Sequence, residues 1–294
     1  MAITGSKQPS TNRLIRPIHM IKISHESPLS MLEISRTYND YDYALVHLFE
    51  EHPEYYKFFE DSVKMGRHVL LDNSIFELGK SFDSKRYAYW IQKLQPTEFI
   101  VPDVLEDCQG TIDSAKQCLW HDWDFVNNSK VMGVVQGKTY GELVKCYVAL
   151  DQEIGVDKLA ISFDYSYYLK AFPHPNKWVS YMMGRVMTLN QLMADGIINV
   201  KKPHHLLGCA HPREFSFYQG PYYNWIETLD TSSPIVHGIK KIPYGDSIGI
   251  WNKESTKLVD LLDSIPDAEQ EKIIAHNLKH FRNYVNSTPL IVLK

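Results

Sequence analysis

The feature that most constrains this chain is a recurring segment: a short apolar run that stops at a carboxylate. Asn224-Trp225-Ile226-Glu227-Thr228-Leu229-Asp230 is followed by Thr231-Ser232-Ser233-Pro234. Arg67-His68-Val69-Leu70-Leu71-Asp72 leads into Asn73-Ser74, and Glu98-Phe99-Ile100-Val101-Pro102 leads into Asp103. Each reads as a strand whose C-terminal end carries an acid. In a parallel α/β barrel all strand C-termini meet at one face, so three such strands predict a converging acidic rim.

The rest of the chain fits this pattern. His19–Ser24 alternates as a first strand, and Glu54–Lys64 has helical spacing with Gly66 to stop it. Asp83-Ser84 caps a helix through Leu94, and Asp107–Leu119 is helical. Lys130–Gly137 is an apolar strand ending at Gln136, as expected for a strand buried on both faces. Thr139 caps a helix to Ile154. Lys158–Asp164 is a strand, Lys177–Ala194 a long helix, His205–Gly208 a strand and Pro212–Tyr218 a short helix. Ser233–Ile239 supplies a weak eighth strand. Lys253 to about Tyr284 is a helical pair, broken at Ser264–Asp267.

This alternation predicts a (β/α)8 TIM-like barrel with a C-terminal helical pair, rather than an open doubly wound sheet, since no strand runs into a Gly-x-Gly-x-x-Gly turn. The expected division is a flexible basic arm over 1–17 (Lys7, Arg13, Arg16), a barrel over 18–250 and packed helices over 251–294. The 294 residues are 44% hydrophobic and 22% charged, with a formal net charge of -4. That excludes a broadly basic coat, though not a local phosphate-contacting face. Lys201, Lys202, Arg213, Lys240 and Lys241 are candidates for such a face, against a default of solvated surface charge. No run approaches the roughly 20 apolar residues of a membrane span, and no signal-peptide core is visible, so a cytoplasmic protein is expected. The four cysteines form no Cys-x-x-Cys pair and read as reduced thiols. His204, His205, Cys209 and His211 match no zinc spacing, and strand alternation sends the first two to opposite faces; no metal and no cofactor are expected.

Taken singly, Asp72, Asp103 and Asp230 are ordinary turn residues. Together at one rim, paired carboxylates permit one to act as nucleophile and another to move protons. Gln136 can read a heterocycle edge or satisfy backbone at the strand end, and Phe76 can stack on a ring or pack in the core.

These residues resemble the tRNA-guanine transglycosylase superfamily over about Ile21–Ile239, and most closely its compact phage branch that inserts 7-deazaguanines into DNA. Asp72-Asn73-Ser74-Ile75-Phe76-Glu77 is similar to the family's Asp-Ser-Gly-Gly-Phe-Gln, and Gly133-Val134-Val135-Gln136-Gly137 to its Gly-x-x-Gln-Gly. Leu159–Ser162 stands for Leu-Ala-Val-Gly, Leu207–Pro212 for Met-Gly-Val-Gly-x-Pro, and Asp230 with Pro234 for the nucleophile segment. The resemblance implies a modified TIM barrel with Asp230 as nucleophile, Asp72 as acid/base, Asp103 and Gln136 on the base edge, Phe76 and Leu207 on its faces and Ser162 in the pocket. It implies exchange of guanine for a free 7-deazaguanine of the preQ0 type in DNA, in the cytoplasm of a bacterial or phage-infected cell. The alternatives are a tRNA substrate, a glycosidase opening the same intermediate with water, or a nucleic-acid binding module without activity. Two departures stand out. The family's Cys-x-Cys-x-x-Cys zinc site is absent, and Val236 and His237 stand near the position of an expected arginine.

Overall fold

The computed structural model describes residues 20–123, 128–245 and 256–286. The expected basic arm lies outside them. Eight parallel strands form the core: β1 (Lys22–Ser24), β2 (Asp42–Leu45), β3 (Val69–Asp72), β4 (Glu98–Ile100), β5 (Lys130–Val135), β6 (Lys158–Ser162), β7 (His204–Leu207) and β8 (Ile226–Asp230). Their order, β1-β8-β7-β6-β5-β4-β3-β2, is that of a nearly closed (β/α)8 barrel. Helices connect the strands on the outside.

The seam between β1 and β2 is closed by side chains. Ile23 N donates to Asp40 Oδ2 at 2.8 Å and Asp40 N to Ile23 O at 2.9 Å. Asn39 accepts from His25 N at 2.7 Å and donates to His25 O at 3.0 Å. Buried backbone groups must be paired, and here two short polar side chains stand in for a missing ladder. Arg282 of the terminal helix ties down the seam from outside, 2.9 Å from Asp40 Oδ2.

Capping explains where the outer helices begin. Asp83, Asp107, Thr139 and Asn176 each accept a backbone N–H from the first turn of Ser84–Leu94, Cys108–Gln117, Tyr140–Val148 and Lys177–Ala194 respectively. All four of these helices start where the sequence places them, the second within one residue.

Three expectations are corrected. The sequence expectation has no strand between Ser24 and the helix at Glu54, yet β2 lies there. Its first residue, Asp42, is buried only because the Arg67 guanidinium holds its carboxylate at 2.8 and 2.9 Å. An acid at that position hides the strand from a hydrophobicity pattern. Ser233–Ile239 is a helix and not an eighth strand, with Pro234 in its first turn, where the fixed φ and missing N–H suit a helix start. The terminal pair also changes: Ala268–Asn286 is a 19-residue helix, but the described chain before it holds only a 3-10 turn, Leu258–Leu261.

Paired residues of neighbouring parallel strands face the same side, so the register carries one face around the barrel. Lys22 and Ser24 pair with Thr228 and Asp230, Tyr43 and Leu45 with Leu70 and Asp72, and Ala160 and Ser162 with His205 and Leu207. This is the interior face. The alternate residues, among them Ile23, Leu71, Phe99, Ile161 and Leu229, are buried against the helices. Near the N-terminal end of the interior Lys158 is fully buried between Glu98, at 3.1 Å, and Glu227, at 3.0 Å. Burial pushes the Glu98 carboxyl up, but His68 and Lys158 outweigh it and hold the group down at about 2. The ionic plug fills that end and leaves the C-terminal end open for a site.

Candidate active site

At the C-terminal mouth lies a cavity of about 290 Å³. Its wall includes Asp72, Asp103, Gln136, Ser162, Leu207 and Asp230, together with Phe76, so all seven base-site residues expected from the sequence meet in one place. Glu26, Tyr43, Glu77, Phe163, Trp178 and Lys257 complete much of the lining. The mix of aromatic walls and a few convergent polar groups suits a flat heterocycle.

Asp230 ends β8 and is 4% exposed. Both hydrogen bonds that the described residues make to its carboxylate fall on Oδ1: His205 Nε2 at 2.9 Å and Gly208 N at 3.2 Å. The other nitrogen of His205 lies 2.8 Å from Thr228 Oγ1. A neutral imidazole that donates from Nε2 and accepts from the Thr228 hydroxyl satisfies both partners. Burial lowers the His205 pKa, which favours the neutral ring despite the opposing pull of Asp230. Tyr43 stacks over the imidazole, with ring centroids 6.2 Å apart and planes within 13°. The Asp230 oxygen Oδ2 is thus the one left for chemistry.

Asp72 ends β3, and its Oδ2 accepts Ser74 N at 2.8 Å. Ser74 sits at φ 61°, a left-handed turn that swings the one-turn helix Ile75–Leu78 over the mouth. Burial raises the Asp72 carboxyl well above the usual range, and the charges of Glu77, Asp103 and Asp230 push the same way, against the Ser74 N–H. Asp103 is also raised by burial, to about 6, with Asn73 and Gln136 holding it down.

Gln136 takes up one of the two parts the sequence allows it, pairing with backbone at the strand end, and adds a hold on Asp103. Its Nε2 donates to Asp103 Oδ2 at 2.6 Å and its Oε1 accepts Glu106 N at 2.8 Å. Asn73 Nδ2 holds the other Asp103 oxygen at 2.8 Å. The amide therefore orients Asp103 and ties down the β4 loop, and only its remaining N–H is spare.

Phe76 is 41% exposed at the mouth, and its ring is 6.0 Å from that of Phe163. Lys257 crosses beside it, 4.9 Å from the ring centroid, and donates to Phe76 O at 2.9 Å. Gly208 closes the far wall at φ 62°, and a Cβ there would lie 2.3 Å from Phe163 Cδ1. Gly208→Ala should therefore displace the Phe163 ring and shift the N–H that holds Asp230. The expected result is about 1–3 kcal/mol of destabilisation, read by thermal melting.

The five candidate phosphate-contacting cations do not form one face. Lys201 and Lys202 precede β7, and so lie at the opposite end of the barrel from the cavity. Lys202 is spent there on Asp151, at 2.7 Å, and on Val156 O, at 2.6 Å. Lys241 pairs with Asp267 and Glu269, and Lys240 beside it is exposed at the end of its helix. Arg213 alone stands on the 3-10 turn, Pro212–Phe217, that follows the C-terminal end of β7. Sequence proximity to a strand does not say which end of that strand a residue occupies.

His204 and His205 do point to opposite faces, His204 to Tyr147 and His205 to Asp230. Among the described residues no group of three or more His, Cys, Asp or Glu is arranged to hold a metal ion. None of their helices is long and apolar enough to cross a membrane. All four cysteines are buried and none is in a disulfide, and Cys146 Sγ accepts Gln136 N at 3.2 Å.

Among the site residues that escape the sequence reading, three stand close to the acids. His205 is visible there only as part of a failed metal pattern, Tyr43 lies on the unexpected strand, and Glu77 stands inside a quoted motif without a role. A scan against models of known protein families finds no match, and a search of curated proteins finds no similar sequence.

Proposed function

We propose that the protein is a transglycosylase that exchanges guanine for a 7-deazaguanine base in a nucleic acid, with DNA as the preferred polymer. The observation that carries this reading is the convergence of Asp72, Asp103 and Asp230 on one ring-sized cavity, where burial raises the Asp72 and Asp103 carboxyls. The target nucleotide must leave the stack, because its glycosidic bond is out of reach within a duplex. Asp230 then attacks C1′ through Oδ2 while His205 and Gly208 support Oδ1. The C1′–N bond breaks, its electron pair goes to the base, and Asp72 supplies the proton. The entering base returns that proton to Asp72 as its nitrogen displaces Asp230 from C1′. Two displacements retain configuration at C1′ and need no nucleoside triphosphate.

Asp103, fixed by Asn73 and Gln136, is suited to accept N–H donors at the base edge, and a site built for those bonds rejects analogues that lack them. Phe76 and Leu207 offer apolar surface to the ring.

The test is incubation with labelled guanine or a 7-deazaguanine and either DNA or tRNA, followed by mass spectrometry of the nucleosides. Label entering DNA supports the proposal. Label entering only tRNA reassigns the polymer. Base release without incorporation makes the protein a glycosidase, and no change in either polymer leaves a binding module.

A further inference from the structure

Glu77 has no task in the reaction so far described, yet its placement is unusual. It lies on the one-turn helix that Ser74 swings over the mouth, and it shares the cavity wall with Asp72 and Asp230. Its Oε2 is sealed from solvent and has no hydrogen-bond partner among the described residues. A buried acceptor without a donor is costly for an ionised carboxylate and much less so for a carboxylic acid.

We propose that Glu77 is a positioning residue that holds a proton in common with Asp72, so that the two carboxyls act as one proton-carrying pair on behalf of the leaving base. This rests on the transglycosylase reading. The charged and titratable groups around the pair are Glu26, Tyr43, Asp103, Lys177, Asp230 and Lys257. Three of the six are carboxyls, and two further carboxylates sharing such a cavity are driven not to stay ionised together.

The pairing explains the timing of proton transfer. Burial raises Glu77 to about 7, its own backbone N–H and Lys257 pull it down, and Asp230 pushes it up. Asp230 pushes Asp72 up as well. When Asp230 becomes an ester at C1′ it loses its charge, and with it that push on both groups. The pair then releases its proton most readily just as the departing base needs one. The total charge of the three carboxyls is unchanged, since Asp230 is neutralised as the pair becomes fully ionised. Regaining the proton from the entering base restores the first state.

Two measurements on the full-length protein test this. In the first, carbon NMR of 13C-labelled glutamate follows the titration of Glu77, with Glu77→Gln to assign the signal and thermal melting to confirm folding. Wild type should titrate near neutrality, and both Asp230→Asn, a neutral stand-in for the ester, and Asp72→Asn should lower the midpoint by about one unit or more. An ordinary carboxylate midpoint in wild type, or one unmoved by either substitution, overturns the pair.

In the second, the pH profile of exchange is compared for wild type and Glu77→Gln. Without Glu77 beside it, Asp72 holds its proton less tightly. Exchange by the variant should therefore fall about tenfold or more at neutral pH and recover at acid pH, with KM for the polymer little changed. A uniform loss at all pH values, or an unmoved profile, overturns the proposal. A wild-type chain that exchanges no base sinks the transglycosylase reading instead, and the NMR titration still decides whether the pair exists.

Discussion

Asp230→Asn should abolish base exchange, with a loss of at least about 10⁴-fold in kcat and no covalent adduct trapped between protein and nucleic acid. The amide fits the same space and its oxygen can still accept from His205 Nε2 and Gly208 N, the two donors to Oδ1 in the native chain. Melting temperature should therefore change little, which separates loss of the nucleophile from loss of the fold. Asp230→Ala should lose activity equally but also leave the fully buried His205 without an acceptor, and so melt lower. Denaturing gel electrophoresis with labelled oligonucleotide reads the adduct, and nucleoside mass spectrometry reads exchange. Full activity in Asp230→Asn would remove the covalent mechanism.

Arg185→Met should have the largest effect on stability. Arg185 and Glu214 are both fully buried; the guanidinium spans the Glu214 carboxylate through Nε and Nη2, and Tyr218 OH donates to Glu214 at 2.6 Å. The same guanidinium donates to Leu207 O at 2.9 Å and Gly208 O at 3.1 Å, at the edge of the cavity. Removing the cation strands a buried carboxylate, at a cost of roughly 3–5 kcal/mol read by denaturant unfolding. In Arg185→Met with Glu214→Leu most of that loss should be recovered, since an apolar pair of similar volume often replaces a buried ion pair without penalty. Activity should not recover with it. Leu207 O and Gly208 O still lack their donor, and the backbone that presents Gly208 N to Asp230 is left loose. A double variant that is both stable and fully active would show that the ion pair serves folding alone.

How much of this was readable beforehand differs from one residue to the next. Asp72, Asp103 and Asp230 were legible as a set because an apolar run ending in an acid is a local pattern, and a parallel barrel sends every such end to one face. While the Asn176 cap of the helix from Lys177 is seen only in the structure, the helix from Ser84 was legible because Asp83 caps it within three residues of sequence. β2 was not, because Asp42 relies on Arg67, 25 residues away, for its burial. Gln136 was legible as a strand-end amide but not in its hold on Asp103, which follows a different strand.

By itself, then, the amino-acid order determined the alternation of strand and helix, the caps and the acids at the strand ends, all of which depend on neighbours within a turn or a pleat. Only the tertiary structure decided which side chains serve those acids. The register of β7 on β8 sets His205 against Asp230, the left-handed turn at Ser74 brings Glu77 to the wall shared with Asp72, and the position of Lys201 and Lys202 before β7 sends them to the far end. These relations depend on contacts between segments far apart in the chain, and short-range patterning carries no trace of them.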